Sequence, residues 1–284
     1  MAYLVKLHIF SGRPDPVWAI SDKEAAALAE VQRATPEELF DAHSKAAPAQ
    51  PAHLGLGYRG FSLIASEAEH PHGALLTEAL PDAHQRREAF ISQSPEAERM
   101  LLETASRTLN PDILQAVREA IVARPKAGGV SHACPACHGA TAPAYDPAFW
   151  NNNPARLANN NCYNYANNNP TNTFAQPGRA SGHMYTALQC PNVRAAAVSD
   201  GLQVTGNFSA AIPGWYVALV IWPGQDYHWY RQDKNGCWSH KPGSTPARNV
   251  DNAGHTISDP KTCDRGPYTV FCTYMRTHKG IKIQ

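Results

Sequence analysis

Cys162 follows the run Asn159-Asn160-Asn161 and opens the segment C-Y-N-Y-A. Asparagine is a strong helix N-cap, so a thiol placed here faces the positive end of a short helix, which favours the thiolate, its reactive form. Further along, His228 sits in D-Y-H-W-Y-R-Q-D (Asp226 to Asp233), an aromatic stretch with strand character. An imidazole beside such a thiol takes its proton and returns it to a leaving amine. The chemistry expected of the pair is hydrolysis or transfer at an amide or isopeptide bond through a Cys162 thioester. The bland reading is a buried cysteine in a core helix and a strand histidine satisfied within an aromatic cluster.

A second constellation is His132, Cys134, Cys137 and His138, four potential metal ligands inside seven residues. Sulfur and imidazole at this density suit zinc or copper. Cys-Pro-Ala-Cys is also a redox-pair spacing, and Cys-x-x-Cys-His a haem-attachment spacing that would require export. Two free thiols in a flexible linker explain the same residues without a ligand. Arg179 and Arg231 offer planar donor forks for a carboxylate, and Trp229 an aromatic surface for a peptide or sugar. P-G-R-A-S-G resembles an anion-binding loop only loosely, and no Walker or Rossmann pattern occurs.

These residues need elements to hold them. Val5, Leu7 and Ile9 alternate with Lys6 and His8, the period of a half-buried strand. Helices are expected after Ser21, over Thr35 to Ala42, over Pro95 to Thr108 with Ser94 as N-cap, and over Pro111 to Ala123. Ala46 to Gly57 reads as loop and Gly60 to Ala65 as a strand. Asn-Asn-Asn recurs at Asn151, Asn159 and Asn167, a pattern that tight turns around two short helices explain. A short helix or strand is expected around Met184 to Gln189. Trp215 to Trp222 (W-Y-V-A-L-V-I-W) reads as a buried central strand. Asp226 to Asp233 follows as the next strand, the Lys234-Asn235-Gly236 turn leads into C-W-S-H-K, and Tyr268 to Met275 closes the sheet.

The composition narrows the classes. Twenty-five basic against 24 acidic residues give a net charge of +1, with no basic stripe for nucleic acid or anionic lipid. Mean hydropathy is −0.42, and no run approaches the length of a membrane span. The N-terminal residues lack the pattern of a signal peptide, which predicts a cytoplasmic protein with reduced thiols, or a secreted one if a leader was removed. Seven cysteines leave at least one outside any intrachain bridge, and Cys237, Cys263 and Cys272 could form bridges in an oxidising setting.

C-Y-N-Y-A resembles the C-x-x-Y-A helix start of CHAP-type amidases, a branch of the NlpC/P60 and papain-like superfamily, over Asn151 to Met275. A second resemblance is to a group of proteins of unassigned activity that share N-C-Y-N-Y-A, T-F-A-Q-P-G-R-A-S-G and Y-H-W-Y-R-Q-D with W-S-H-K-P-G. The first resemblance implies Cys162 as nucleophile and His228 as base. It places the residue that orients the histidine on the following strand, as His240 or Ser239 according to register. It also implies oxyanion donors from the Cys162 backbone and an amide of Asn160, Asn161 or Gln176. The sequence departs from CHAP domains in the aromatic neighbours of His228, the early end of the Cys162 helix, and asparagines in place of glycines before the cysteine.

The expected protein is therefore α+β. It has a small α+β module over 1–125, a Cys/His linker over 126–148, and a papain-like domain over 149–284 in which a short helix precedes an antiparallel sheet. The expected function is a cysteine peptidase or amidase acting on a peptide or amide-containing substrate, needing no cofactor. One alternative is a zinc- or copper-binding protein using His132, Cys134, Cys137 and His138. The other is a non-catalytic binding or matrix module on the same scaffold.

Overall fold

The computed structural model describes residues 2–35, 38–40, 55–67, 70–73, 75–76, 87–91, 94–106, 108–123 and 131–284. Within the helix expected over Thr35 to Ala42, residues 38–40 are helical, with Leu39 and Phe40 buried. Residues 36–37 and 41–42, most of the loop from Ala46 to Gly57 and the first linker residues lie outside the described set. The chain forms two units. Unit 1 comprises Met1–Ile9, Asp15–Leu54 and Tyr58–Pro125; unit 2 comprises Phe10–Pro14, Gly55–Gly57 and Lys126–Gln284. Each combines helices with an antiparallel sheet, so the fold class is α+β.

In unit 1, strands β1 (Ala2–Leu7), β2 (Val17–Ile20), β3 (Phe61–Ser66) and β4 (Arg87–Ile91) pair in the order β2-β1-β3-β4. Alternation predicts one wet face for β1, but Val5 to Leu7 are all buried. The polar residues beyond are also enclosed: His8 is 5% exposed, bonded to Ser62 Oγ at 2.7 Å and tilted against Phe90. Helix α1 (Asp22–Val31) starts with a reciprocal Ser21–Glu24 capping box. Ser94 caps α2 (Pro95–Thr104), whose proline occupies the first turn, where no amide hydrogen is needed. Helix α3 (Pro111–Ala123) buries Ile113, Leu114, Val117 and Ile121 on one face.

Unit 2 opens with three short helices set by the asparagine-rich sequence: α4 (Pro147–Asn151), α5 (Pro154–Asn159) and α6 (Cys162–Ala166). Asp146, Asn153 and Asn161 are their N-caps, each with a side-chain oxygen on the first free amides. Asn168 and Asn172 take left-handed backbone conformations, at φ 48° and 57°. Met184 to Gln189 is irregular, with bends over 186–189, and is neither helix nor strand. Helix α7 (Cys190–Ser199) then leads to β5 (Gln203–Val204), β6 (Trp215–Trp222), β7 (Asp226–Gln232), β8 (Trp238–His240) and β9 (Val270–Thr277).

The sheet order is β5-β9-β6-β7-β8, antiparallel throughout, so β6 is central and all eight of its residues are buried. One face carries Trp215, Val217, Leu219, Ile221, Tyr227, Trp229 and Met275 against Cys162, Tyr163 and Ala166 of α6 and Val193 and Ala197 of α7. The opposite face carries His228 and Tyr230, which contact His240 of β8 and, through His228, Tyr268. Residues 131–148 belong to this unit. Ile212 binds them on both sides of Gly139, donating to His138 O at 3.0 Å and accepting from Ala140 N at 3.0 Å.

Candidate functional site

Cys162 is the first residue of α6, with its side chain wholly buried. Asn161 caps this helix through Oδ1, which accepts from Tyr163 N at 3.0 Å and Asn164 N at 3.1 Å. The thiol lies in the apolar layer with Tyr227 and Trp229. Burial, reinforced by the nearby Asp226 carboxyl, raises its pKa well above the ordinary thiol range, against the lowering effect of neighbouring backbone N–H groups. The thiolate expected at this helix start is therefore absent at neutral pH.

His228 does not meet it. Neighbouring residues on a strand point to opposite faces, and Tyr227 and Trp229 occupy the Cys162 side. His228 Nε2 lies 2.9 Å from His240 Nδ1, and His240 Nε2 lies 3.1 Å from Val250 O. A carbonyl only accepts, so His240 Nε2 carries its proton. In the neutral pair His240 Nδ1 then accepts, and His228 Nε2 donates. The His228 Nε2 proton is thus committed to His240 on the face away from Cys162. Register settles the neighbouring positions: Tyr230 faces His240 and Arg231 faces Ser239. Ser239 accordingly sits on the other face, its hydroxyl 2.6 Å from Tyr165 OH.

The other expected site residues are engaged internally. Asn161 Nδ2 donates to Gly12 O and Ala175 O. Asn160 Nδ2 donates to Arg156 O and to Asn172 Oδ1, and its Oδ1 accepts from Asn172 N. Gln176 Nε2 binds Gly12 O at 2.7 Å while Oε1 accepts from Tyr185 OH and Tyr227 OH. No oxyanion donor remains among these amides. Trp229 is fully buried against Tyr163, with ring centroids 5.4 Å apart, so it lines no groove. Arg179 is exposed and donates to Phe174 O. Arg231 is buried with Asp233 at 2.8 Å and Tyr165 OH at 3.0 Å, a structural pair.

The Cys/His cluster is also rearranged. Cys134 is bonded to Cys237, and Cys190 to Cys272, while Cys137, Cys162 and Cys263 are free thiols. A disulfide sulfur has no thiolate to give a metal, so the ligand set His132, Cys134, Cys137 and His138 does not form. Among the described residues no group of three or more His, Cys, Asp or Glu side chains is arranged to hold a metal ion. His132 instead packs its ring edge-on to His255 at 5.4 Å, at a cavity of about 460 Å³ also lined by Asp251, Asp259, Cys263 and Asp264. The expectation of reduced thiols fails because folding brings Cys134 onto the start of β8, and the start of α7 onto β9. Sequence spacing carries no signal for either pairing.

One residue that sequence reading passed over is Asp226. Its carboxylate accepts from three successive backbone amides, Ser11 N at 2.5 Å, Gly12 N at 3.2 Å and Arg13 N at 3.1 Å, and from Tyr268 OH at 2.5 Å. Burial nonetheless raises its pKa. The signal was present only as a Gly-containing turn, which can aim consecutive N–H groups at one anion.

Insoluble matrix shell protein 1 of Ruditapes philippinarum is 52% identical over 132 residues, which make up 46% of this chain and 87% of the relative. The chain belongs to the insoluble matrix shell protein 1 family. No family model matches the chain, and no solved structure matches it. Membership in this family overturns the cysteine-hydrolase expectation: the relative is named as a shell matrix protein, and neither a peptidase nor an amidase assignment stands. The metal-binding alternative falls with the Cys134–Cys237 bridge.

Proposed function

We propose that the protein is a non-catalytic structural module of an extracellular matrix, in which Cys162 and His228 serve as packing residues. The observation that carries this reading is the 52% identity with insoluble matrix shell protein 1. The two disulfides support secretion, since such bridges persist in oxidising compartments and are rare in the cytosol. No described helix is long and apolar enough to cross a membrane. In this reading the partners are other matrix components in place of a peptide substrate.

The papain-like likeness enters as a proposal about scaffold alone. A helix-start cysteine packed on an antiparallel sheet is the arrangement that likeness implies, and α6 against β7 is in keeping with it. Its polar groups then work as fasteners: the amides of Asn161 and Gln176 tie the Gly12 turn to the sheet layer.

Sequential extraction of the producing tissue tests the proposal. The chain is expected in the extracellular insoluble fraction, released by denaturant with reductant and not by salt. Recovery from the cytosol with all its cysteines reduced would sink the reading.

A further inference from the structure

Three cysteines gather at the β7–β8 turn. Cys134 and Cys237 are bonded, Cys137 is free, and only Pro135 and Ala136 separate Cys137 from Cys134. The turn is built to receive this segment. Gly236 has φ +87°, and a Cβ built there would fall 1.7 Å from Pro135 O and 3.3 Å from Cys137 N. The free thiol and the bridge therefore share one small patch of backbone. Their exposures differ in a useful way: Cys134 is exposed, Cys137 half-buried, and Cys237 only 2% exposed.

We propose that Cys137 exchanges with the Cys134–Cys237 disulfide, giving an alternative Cys134–Cys137 form in which residues 131–137 are no longer bonded to the β7–β8 turn. In the step, the Cys137 thiolate attacks Cys134 Sγ, on the more exposed residue of the bridge. The Cys134–Cys237 bond breaks as the Cys134–Cys137 bond forms. Cys237 departs as a thiolate and takes up a proton from water, matching the one Cys137 gave up. One disulfide replaces another, so no oxidant or reductant is consumed.

The surroundings define what moves. Residues 131–138 form no helix or strand, and Gln232 Nε2 to Ala136 O, at 3.3 Å, is a weak tie to the sheet. The segment must tighten into a turn to bring the two Cα atoms within about 4.4–6.8 Å. Beyond it, the pairing of His138 and Ala140 with Ile212 holds the chain to the sheet. The exchange thus frees a short strap whose downstream end stays anchored.

Disulfide mapping of the native, full-length protein tests this. Samples are held at pH 6, 7 and 8 without added thiol or oxidant, quenched in acid, alkylated and digested without reduction. The expected result is label passing from Cys137 to Cys237 together with a Cys134–Cys137 intrapeptide bridge, forming faster at each higher pH because the thiolate is the nucleophile. Cys137→Ser is expected to keep the Cys134–Cys237 bridge throughout. An unlabelled Cys237 beside a fully labelled Cys137 at pH 8 would overturn the proposal without recourse to a variant. So would exchange that persists in Cys137→Ser, or a Cys134 joined to any cysteine besides Cys137 and Cys237.

Discussion

Two influences act on the Cys162 thiol. The first amides of α6 favour a thiolate, by about 0.3–1 kcal/mol at an exposed terminus. Removing an ion from water costs several kcal/mol, so full burial wins and the thiol stays protonated. Alkylation at pH 8 is expected to label Cys162 at least about a hundredfold more slowly in the folded chain than in the unfolded one, and His228→Ala to leave the folded rate unchanged, as read by peptide mapping. A fast Cys162 that slows without His228 would contradict the packing described above. Arg231 makes the opposite case, a buried charge kept in place by partners. Its guanidinium meets Asp233 at 2.8 Å and Asn168 Oδ1 at 3.0 Å, and lies over the Tyr165 ring at 4.1 Å. Arg231→Ala leaves Asp233 buried without its cation and is expected to cost about 3–5 kcal/mol in urea unfolding at pH 7.

Among the elements, the Ser11–Arg13 turn and the start of β7 depend on one carboxylate. Because burial raises the Asp226 pKa, the native state holds its proton to higher pH than the unfolded chain does. The native state then binds more protons in the interval above the unfolded value of about 3.9, and stability from this group falls as pH rises through that interval. Chemical denaturation from pH 4 to 7 is expected to show the parent losing stability relative to Asp226→Asn, and a flat or rising difference would contradict the sign. Much of the element plan was legible: Ser94, Asn161 and the Lys234–Gly236 turn declare themselves by local chemistry, and the eight apolar residues of β6 by length. The site was not. Whether His228 points toward Cys162 or away from it is set by the pleat, and a period of two turns a one-residue difference into opposite faces. The half-buried period of β1 likewise says nothing about the burial of Lys6 and His8.

At the scale of the whole molecule, all seven cysteines fall in unit 2 and none in unit 1. The bridges span 103 and 82 residues, for which chain entropy gives roughly 4–5 kcal/mol each. Hydrogen exchange in reductant is therefore expected to show protection lost across β6, β7 and β9 while the amides of β1 and β3 keep theirs. Equal loss in both would show that the cross-links brace more than unit 2. The Asp226 clamp has a further consequence, for the gene. Phe10–Pro14 is encoded among unit 1 residues yet completes unit 2, so no single cut in the coding sequence yields both units whole. A fragment beginning at Lys126 would leave the Asp226 carboxylate without its three amide donors. Shuffling of such a unit between proteins must carry three separated pieces of sequence together, which makes it a poor candidate for spread by simple exon transfer.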